Sequence, residues 1–353
     1  MNILQNKIDR AFLLSDLHFG VKNNNKEWLE LQLNYFNNFF IPLLKEKKQK
    51  NDILFILGDI FDSRQTLNII VLNKVLELFN TLSKIINIII IIGNHDTANK
   101  DNNEITSVEI FKNIKNIYIV KDYLYLEDKL FISWQNNYKN EIDIIKKYEN
   151  VKYVFSHSEI QGTSYNKYQK QENGNKLEDY GNNIQIYSGH IHYRQEYKNL
   201  MYIGSPYHLT RNDIDNKKGF YILDFENSTK EFIENKYSPI YISINLEDFY
   251  NKKVEELIQI VTNNFVDINI DNNIILKFSI NKLIDLLSKY ARNINILINN
   301  NIIDIDNNIN IEENSTDFLD INNLLKLYLD NTSYDDKLKN NIIKYINKLQ
   351  KEN

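Results

Sequence analysis

The chain has 353 residues, with 42 basic and 47 acidic side chains and no cysteine. That length can bury a sizeable core in two or three units, while the missing cysteine excludes disulfides and thiolate metal sites. Residues 1–239 carry 30 basic and 30 acidic groups and residues 240–353 carry 12 and 17, so neither part is a general magnet for nucleic acid.

No run is apolar for the roughly 18 residues of a membrane span. The opening MNILQNKIDR lacks the apolar core and cleavage site of a signal peptide. A cytoplasmic protein without membrane contact is expected. Ala11–Asp16 reads as a first strand. A helical stretch follows from about Lys26 to Lys50, with Trp28, Leu31 and Tyr35 on one face and Pro42 kinking or dividing it. Asp52–Leu57, DILFIL, is an unbroken run of large apolar side chains after its first residue, as in a strand buried on both faces. It breaks at Gly58 and presents Asp59 and Asp62. A helix over about Gln65–Ile85 carries Ile69, Leu72, Leu76 and Phe79 at helical spacing, and Asn87–Ile92 is the third strand. This βαβαβ opening predicts parallel strands with helices on the sheet faces.

From Ile117 to Trp134 the pattern shortens to strands and hairpins, and a helix over about Glu141–Tyr148 leads to the strand before His157. Gln161–Asn183 is a polar loop, either facing substrate or a tolerated surface insertion. The segments MYIGSP and GFYILDF predict a second, more antiparallel sheet packed on the first. The pattern resets near Pro239. Strands at Ile240–Ile244, Ile274–Ile280 and Ile294–Ile298, with helices over about Lys253–Thr262 and Lys282–Tyr290, predict a small α+β domain. An Asn/Asp-rich linker precedes two amphipathic helices, Asp317–Leu329 and Lys337–Gln350. They either pack on each other or leave an apolar stripe for a partner's coiled coil. The expected units are therefore 1–238, 239–313 and 314–353.

Five of the six histidines fall where apolar runs end: DLHFG (Asp16, His18), GNHD (Asn94, His95, Asp96), FSHS (His157) and SGHIH (His190, His192). A site at strand C-termini is what an open α/β sheet builds. Carboxylate, imidazole and amide oxygen without sulfur suit Mn²⁺, Mg²⁺, Fe or Zn²⁺. Asp16, His18, Asp59, Asn94, His157, His190 and His192 are too many donors for one ion and suit two ions bridged by a carboxylate, with Asp59 on the central strand as the bridge. Such a pair, ~3.5–4 Å apart, binds phosphoryl oxygens and activates a bridging water for in-line attack. His95, beside Asn94, is the spare imidazole placed to protonate a leaving alkoxide.

In this order, DLH, GDIFD, GNHD, the isolated His157 and GHIH resemble the motifs of calcineurin-like metallophosphoesterases. Within them, GSPYHLTRND after GHIH and the small domain followed by a helix pair are similar to the SbcD/Mre-type DNA repair nucleases, the phage recombination endonuclease nuclease subunits above all. The resemblance implies a metallophosphoesterase sandwich: two packed mixed β-sheets flanked by helices, with an α+β cap and a C-terminal helix pair. It implies one metal on Asp16, His18, Asp59 and His192, a second on Asp59, Asn94, His157 and His190, His95 as general acid, and Asp62 orienting its imidazole. Some cellular relatives carry His at the Asp62 position. His208 lies outside the ligand motifs and reads as a lining or structural residue.

The activity implied is a Mn²⁺-dependent DNA exonuclease and endonuclease acting on DNA ends and on single-strand/duplex junctions, in repair and recombination. An SMC-like coiled-coil ATPase would be its partner, and a homodimer its form. The competing readings are a phosphoesterase on small phosphodiesters or phosphoproteins, and a metal-free scaffold on the same fold.

Overall fold

The computed structural model describes residues 7–99, 102–246, 252–271 and 280–299. The expected helix pair within 314–353 lies outside the described residues.

Strand β1 (Arg10–Leu14) runs parallel to β2 (Asp52–Leu57), which runs parallel to β3 (Asn87–Ile91). A small hairpin, β4 (Thr97–Asn99) with β5 (Asn102–Thr106), precedes β6 (Ile117–Val120), which joins β3 in parallel. The second sheet takes β7 (Tyr123–Leu126), β8 (Lys129–Ile132), β9 (Tyr153–Ser156), β10 (Gln185–Ser188), β11 (Gln195–Tyr197) and β12 (Leu200–Tyr202). The chain then returns to the first sheet with β13 (Gly219–Asp224), antiparallel to β1, and the edge strand β14 (Thr229–Glu234). The strand orders are β14-β13-β1-β2-β3-β6 and β11-β12-β10-β9-β8-β7. The two segments expected to share one sheet are thus divided: Leu200–Tyr202 belongs to the second and Gly219–Asp224 to the first. Only the chain's route between layers decides that, because both read alike as short apolar strands.

Alternation splits each apolar strand between two layers. Phe12, Leu14, Leu54, Ile56, Ile88 and Ile90 face the helices on one side. Ala11, Leu13, Ile53, Phe55, Leu57, Ile89 and Ile91 face the second sheet, where Phe131, Phe155, Tyr187 and Met201 meet them. Phe55 is the hub, with its ring 4.8 Å from Phe131 and 4.9 Å from Phe155. The outer face of the second sheet, including Val154, Ile186 and Tyr202, packs with Ile142 and Ile145 of a short helix at Lys139–Ile145.

The long helical stretch is continuous in course but widens by one π turn midway. Lys26–Tyr35 is α-helical with Asn25 as N-cap, Phe36–Phe40 is a π-helical turn, and Ile41–Lys47 is α-helical again. The widened turn lies directly before Pro42, whose ring and missing N–H do not fit a regular helix interior. In the helix Ile69–Ser83, Asn68 caps the start and the buried face is Val71, Val75, Leu78, Phe79 and Leu82. Ile69, read as the first residue of that face, is 71% exposed.

Residues from Tyr241 build a separate three-stranded sheet, β15 (Tyr241–Asn245), β16 (Phe265–Asp271) and β17 (Asn293–Asn299), all parallel. Helices Val254–Val261 and Ile280–Leu287 connect them. The middle strand, Phe265–Asp271, is one not expected from the sequence; of the expected strand Ile274–Ile280, residues 274–279 lie outside the described residues and Ile280 begins a helix. The alternation in FVDINID includes Asp267, buried yet paired with Arg211 at 2.7 Å, and this hid the strand. Trp28 stacks on Phe265 at 5.2 Å, and the Tyr241 N–H donates to His208 Nδ1 at 3.2 Å, so His208 is a structural tie to this sheet.

Phe55→Ala should lower stability by about 3–5 kcal/mol, because the hub lies between two sheets that cannot collapse onto the void. Urea unfolding followed by far-UV circular dichroism measures this; a loss below ~1 kcal/mol would show that the two sheets do not depend on this contact.

Candidate metal centre

The parallel strands β1, β2 and β3 all end at one edge of the first sheet, and β9 and β10 end at one edge of the second. Asp16 and His18 follow β1, Asp59 follows β2, Asn94 and His95 follow β3, His157 follows β9, and His190 and His192 follow β10. Asp16, His18, Asp59 and His190 have positive φ, between 46° and 81°. Such backbones cost ~1–3 kcal/mol each and persist where their surroundings over-determine them. Here the surroundings are close-packed turns. A Cβ at Gly93 would collide with the Asp59 carboxylate and backbone nitrogen, and one at Gly189 with Ser15 Oγ and the Leu57 carbonyl.

Three groups of donors result among the described residues, one of them His18 with Asp62 and His95; the other two hold the expected ligands. Asp16, His18 and His192 offer atoms within 4.8 Å of one another, and so do Asp59, His157 and His190. Asn94 Oδ1 lies 3.0 Å from His157 Nε2 and 2.8 Å from His190 Nδ1, which adds it to the second group. Asp59 Oδ2 lies 3.3 Å from His157 Nε2 and 3.6 Å from His18 Nε2, between the groups. Its Oδ1 accepts the His95 N–H at 2.8 Å, leaving Oδ2 to face both.

These residues fit divalent cations. Asp16 Oδ2 is buried without a hydrogen-bond partner, while Oδ1 accepts the His190 N–H at 3.0 Å. His18 Nε2 and His192 Nε2 face each other at 2.9 Å, so a proton or a cation has to lie between their lone pairs. The remote ring nitrogens are tied down as metal-binding histidines require. His157 Nδ1 donates to the Leu57 carbonyl at 2.7 Å, and His18 Nδ1 faces Asp62 Oδ1 at 3.1 Å.

Asp62 meets two imidazoles, each through a different group. Its carboxylate sits on His18, and it reaches His95 only through its main-chain oxygen, which accepts from His95 Nδ1 at 2.6 Å. A carbonyl can only accept, so Nδ1 carries the proton and Nε2 is the free edge of His95. The sequence shows an acid beside the site but not which imidazole that acid meets.

Three supporting groups went unassigned in the sequence. Asp96 accepts N–H bonds from Asp59, Ile60, Phe61 and Gly93 at 2.8–3.3 Å, fixing the turn that carries Asp59. Burial and the Asp59 charge push its carboxyl up to about 7, but four N–H donors favour the anion and leave little room for a proton. Lys218, fully buried, pairs with Asp213 at 2.5 Å and donates to the His192 carbonyl at 2.5 Å. Glu159 meets His190 Nε2 at 3.1 Å. Asp96 alone carried a signal, as the last residue of GNHD.

The sequence profile of the calcineurin-like phosphoesterases matches residues 10–194, just over half of the chain. The chain belongs to that family. The phosphoesterase is 27% identical over 270 residues to "Exonuclease subunit 1" of Enterobacteria phage T4, covering 71% of this chain and 77% of that protein. It is 27% identical over 215 residues to protein 244L of Invertebrate iridescent virus 6, covering 56% and 69%. A solved Aquifex aeolicus protein of unknown function aligns at 18% identity over 51% of this chain and 88% of its own, with a TM-score of 0.28.

The electrostatics of the phosphoesterase suit cation binding. Burial disfavours charge on both His157 and Asp59, but their mutual attraction prevails: His157 is raised to about 9 and Asp59 held below the usual carboxylate range. His18 is raised too, against its burial, by Asp62 and Asp59. His192 is pushed down to about 4 by burial and by His18, and so is neutral at pH 7. Burial also lowers His95. A bound cation must displace the proton that His157 holds at Nε2. Affinity for a divalent cation should therefore rise with pH up to about 9, where His157 loses its proton unaided, and binding near pH 7 should release protons. Calorimetry in buffers of different ionisation enthalpy counts those protons; an affinity independent of pH between 6 and 9 would contradict this account.

Proposed function

We propose that this phosphoesterase is a Mn²⁺-dependent DNA nuclease, cutting phosphodiester bonds at DNA ends and internally with two ions that share Asp59. The observation that carries the reading is the position of Asp59 Oδ2 between the two donor groups, 3.3 Å from His157 and 3.6 Å from His18. Divalent ions held there would polarise phosphoryl oxygens and make a water nucleophilic at neutral pH. Asp16, His18 and His192 would hold one, and Asn94, His157 and His190 the other. His95 would protonate the leaving alkoxide from Nε2, its ring aimed by the Nδ1–H bond to the Asp62 carbonyl.

DNA as substrate is supported by the likeness to the phage T4 exonuclease subunit, which covers more of the chain than the family profile does. We assign residues 1–238 as the nuclease unit, 239–313 as a cap that contacts DNA, and 314–353 as the segment docking an SMC-like coiled-coil ATPase. A homodimer in the cytoplasm completes the reading.

With Mn²⁺, the protein should degrade linear duplex and nick plasmid DNA. His95→Ala should slow DNA cleavage at least ~100-fold. It should lose less on bis(p-nitrophenyl) phosphate, whose leaving group departs without a proton. Hydrolysis of the small ester with no action on either DNA would instead favour a small-substrate phosphoesterase.

Deleting residues 316–353 should leave nuclease activity on short DNA nearly intact and abolish co-purification with the ATPase from the native host. Full-affinity binding by the truncated protein would move the docking surface elsewhere.

A further inference from the structure

Each imidazole that faces the shared Asp59 is fixed from behind, but not by the same kind of group. His157 is fixed by a main-chain carbonyl and His18 by the Asp62 carboxylate. His190 is fixed by Glu159, whose Oε1 lies 3.1 Å from Nε2, on the far side of the ring from the Nδ1 atom that meets Asn94 Oδ1 at 2.8 Å. A carboxylate can only accept, so Nε2 carries a proton; Asn94 Oδ1 also only accepts, so with a cation bound between them Nδ1 turns its lone pair to the ion. The Trp134 ring stacks on the same imidazole, 5.2 Å away with the planes 25° apart. His190 is thus held on its edge by Glu159 and on its face by Trp134. Its backbone sits at φ 81°, so local chain preference does not hold it there.

Glu159 is itself placed by the fold. It follows His157 by two residues at the end of β9, and its carbonyl accepts the Asn175 N–H at 3.0 Å. Gly174 packs so tightly on the Glu159 backbone that a Cβ there would collide with its carbonyl. The polar loop 161–175 therefore closes back onto the residue that orients His190.

We infer that Glu159 is a positioning residue for one ion only: it selects the Nδ1-ligating form of His190 and so sets the affinity of the Asn94–His157–His190 group without touching the metal. This rests on the two-ion reading above. Losing such an outer partner typically weakens metal binding by about 10–100-fold.

The test is Mn²⁺ titration of the full chain by calorimetry, with electron paramagnetic resonance counting free ion. Wild type should take up two ions. Glu159→Ala should lose about 10–100-fold in affinity for one and keep the other within about threefold. Glu159→Gln, whose amide oxygen still accepts from Nε2, should recover most of the loss. Circular dichroism melts confirm that the variants fold; this side chain is about one-third exposed, so its removal leaves no core cavity. If wild type binds two ions and Glu159→Ala binds both as tightly, the inference is wrong and the two-ion reading stands. Equal weakening of both ions, or no recovery in Glu159→Gln, also overturns it. If wild type binds a single ion, the two-ion reading itself fails.

Discussion

The turn that carries Asp59 is the constraint on which this molecule depends. Asp96 gathers the N–H groups of three consecutive residues, Asp59, Ile60 and Phe61, into one buried carboxylate and adds that of Gly93. Hydrogen bonds to a charged acceptor are worth roughly 1.5–3 kcal/mol each, so the turn is rigid at the point where β2 ends. Neighbouring loops are then built on it. Asp16 and His18 donate their N–H groups to the carbonyls of Gly58 and Asp59, at 3.1 and 3.0 Å. The His95 N–H is spent on Asp59 Oδ1. Displacing this one turn would move donors from three strands.

Rigidity is required because the ligand-bearing backbones are held against their own preferences. Four donors at positive φ represent a cost of ~1–3 kcal/mol each. What offsets it is the depth of the sandwich beneath them. Every residue of β2 is buried, and Phe55, Phe131 and Phe155 lock the two sheets together below the site. A core of this kind has few ways to relax, so the loops at its rim inherit fixed positions.

Electrostatics complete the arrangement. Asp59 and His157 favour each other's charged forms, and the His157 proton on Nε2 occupies the side of the ring that faces Asp59. The distal nitrogens of His157, His18 and His190 are committed to protein acceptors: Leu57, Asp62 and Glu159. The site is therefore preorganised for cations in its tautomers as well as in its geometry.

Much of this was legible in the chain itself. The apolar run Ile53–Leu57, short and ended by a glycine turn, reads as a strand buried on both faces, and His or Asp directly after several such runs marks one edge of a parallel sheet. Those are local properties, carried by side-chain period and by glycine at the turns. Which residues stand behind the donors was not legible. Asp62 lies 44 residues from His18 and Glu159 lies 31 from His190, and no spacing rule connects them. The placement of MYIGSP and GFYILDF in different sheets, and of Phe265–Asp271 at the centre of the three-stranded sheet, likewise depend on the path between layers. Apolar periodicity decides that a segment is a strand and which faces it buries; only packing across distant segments decides its neighbours, and with them which carboxylate meets which imidazole.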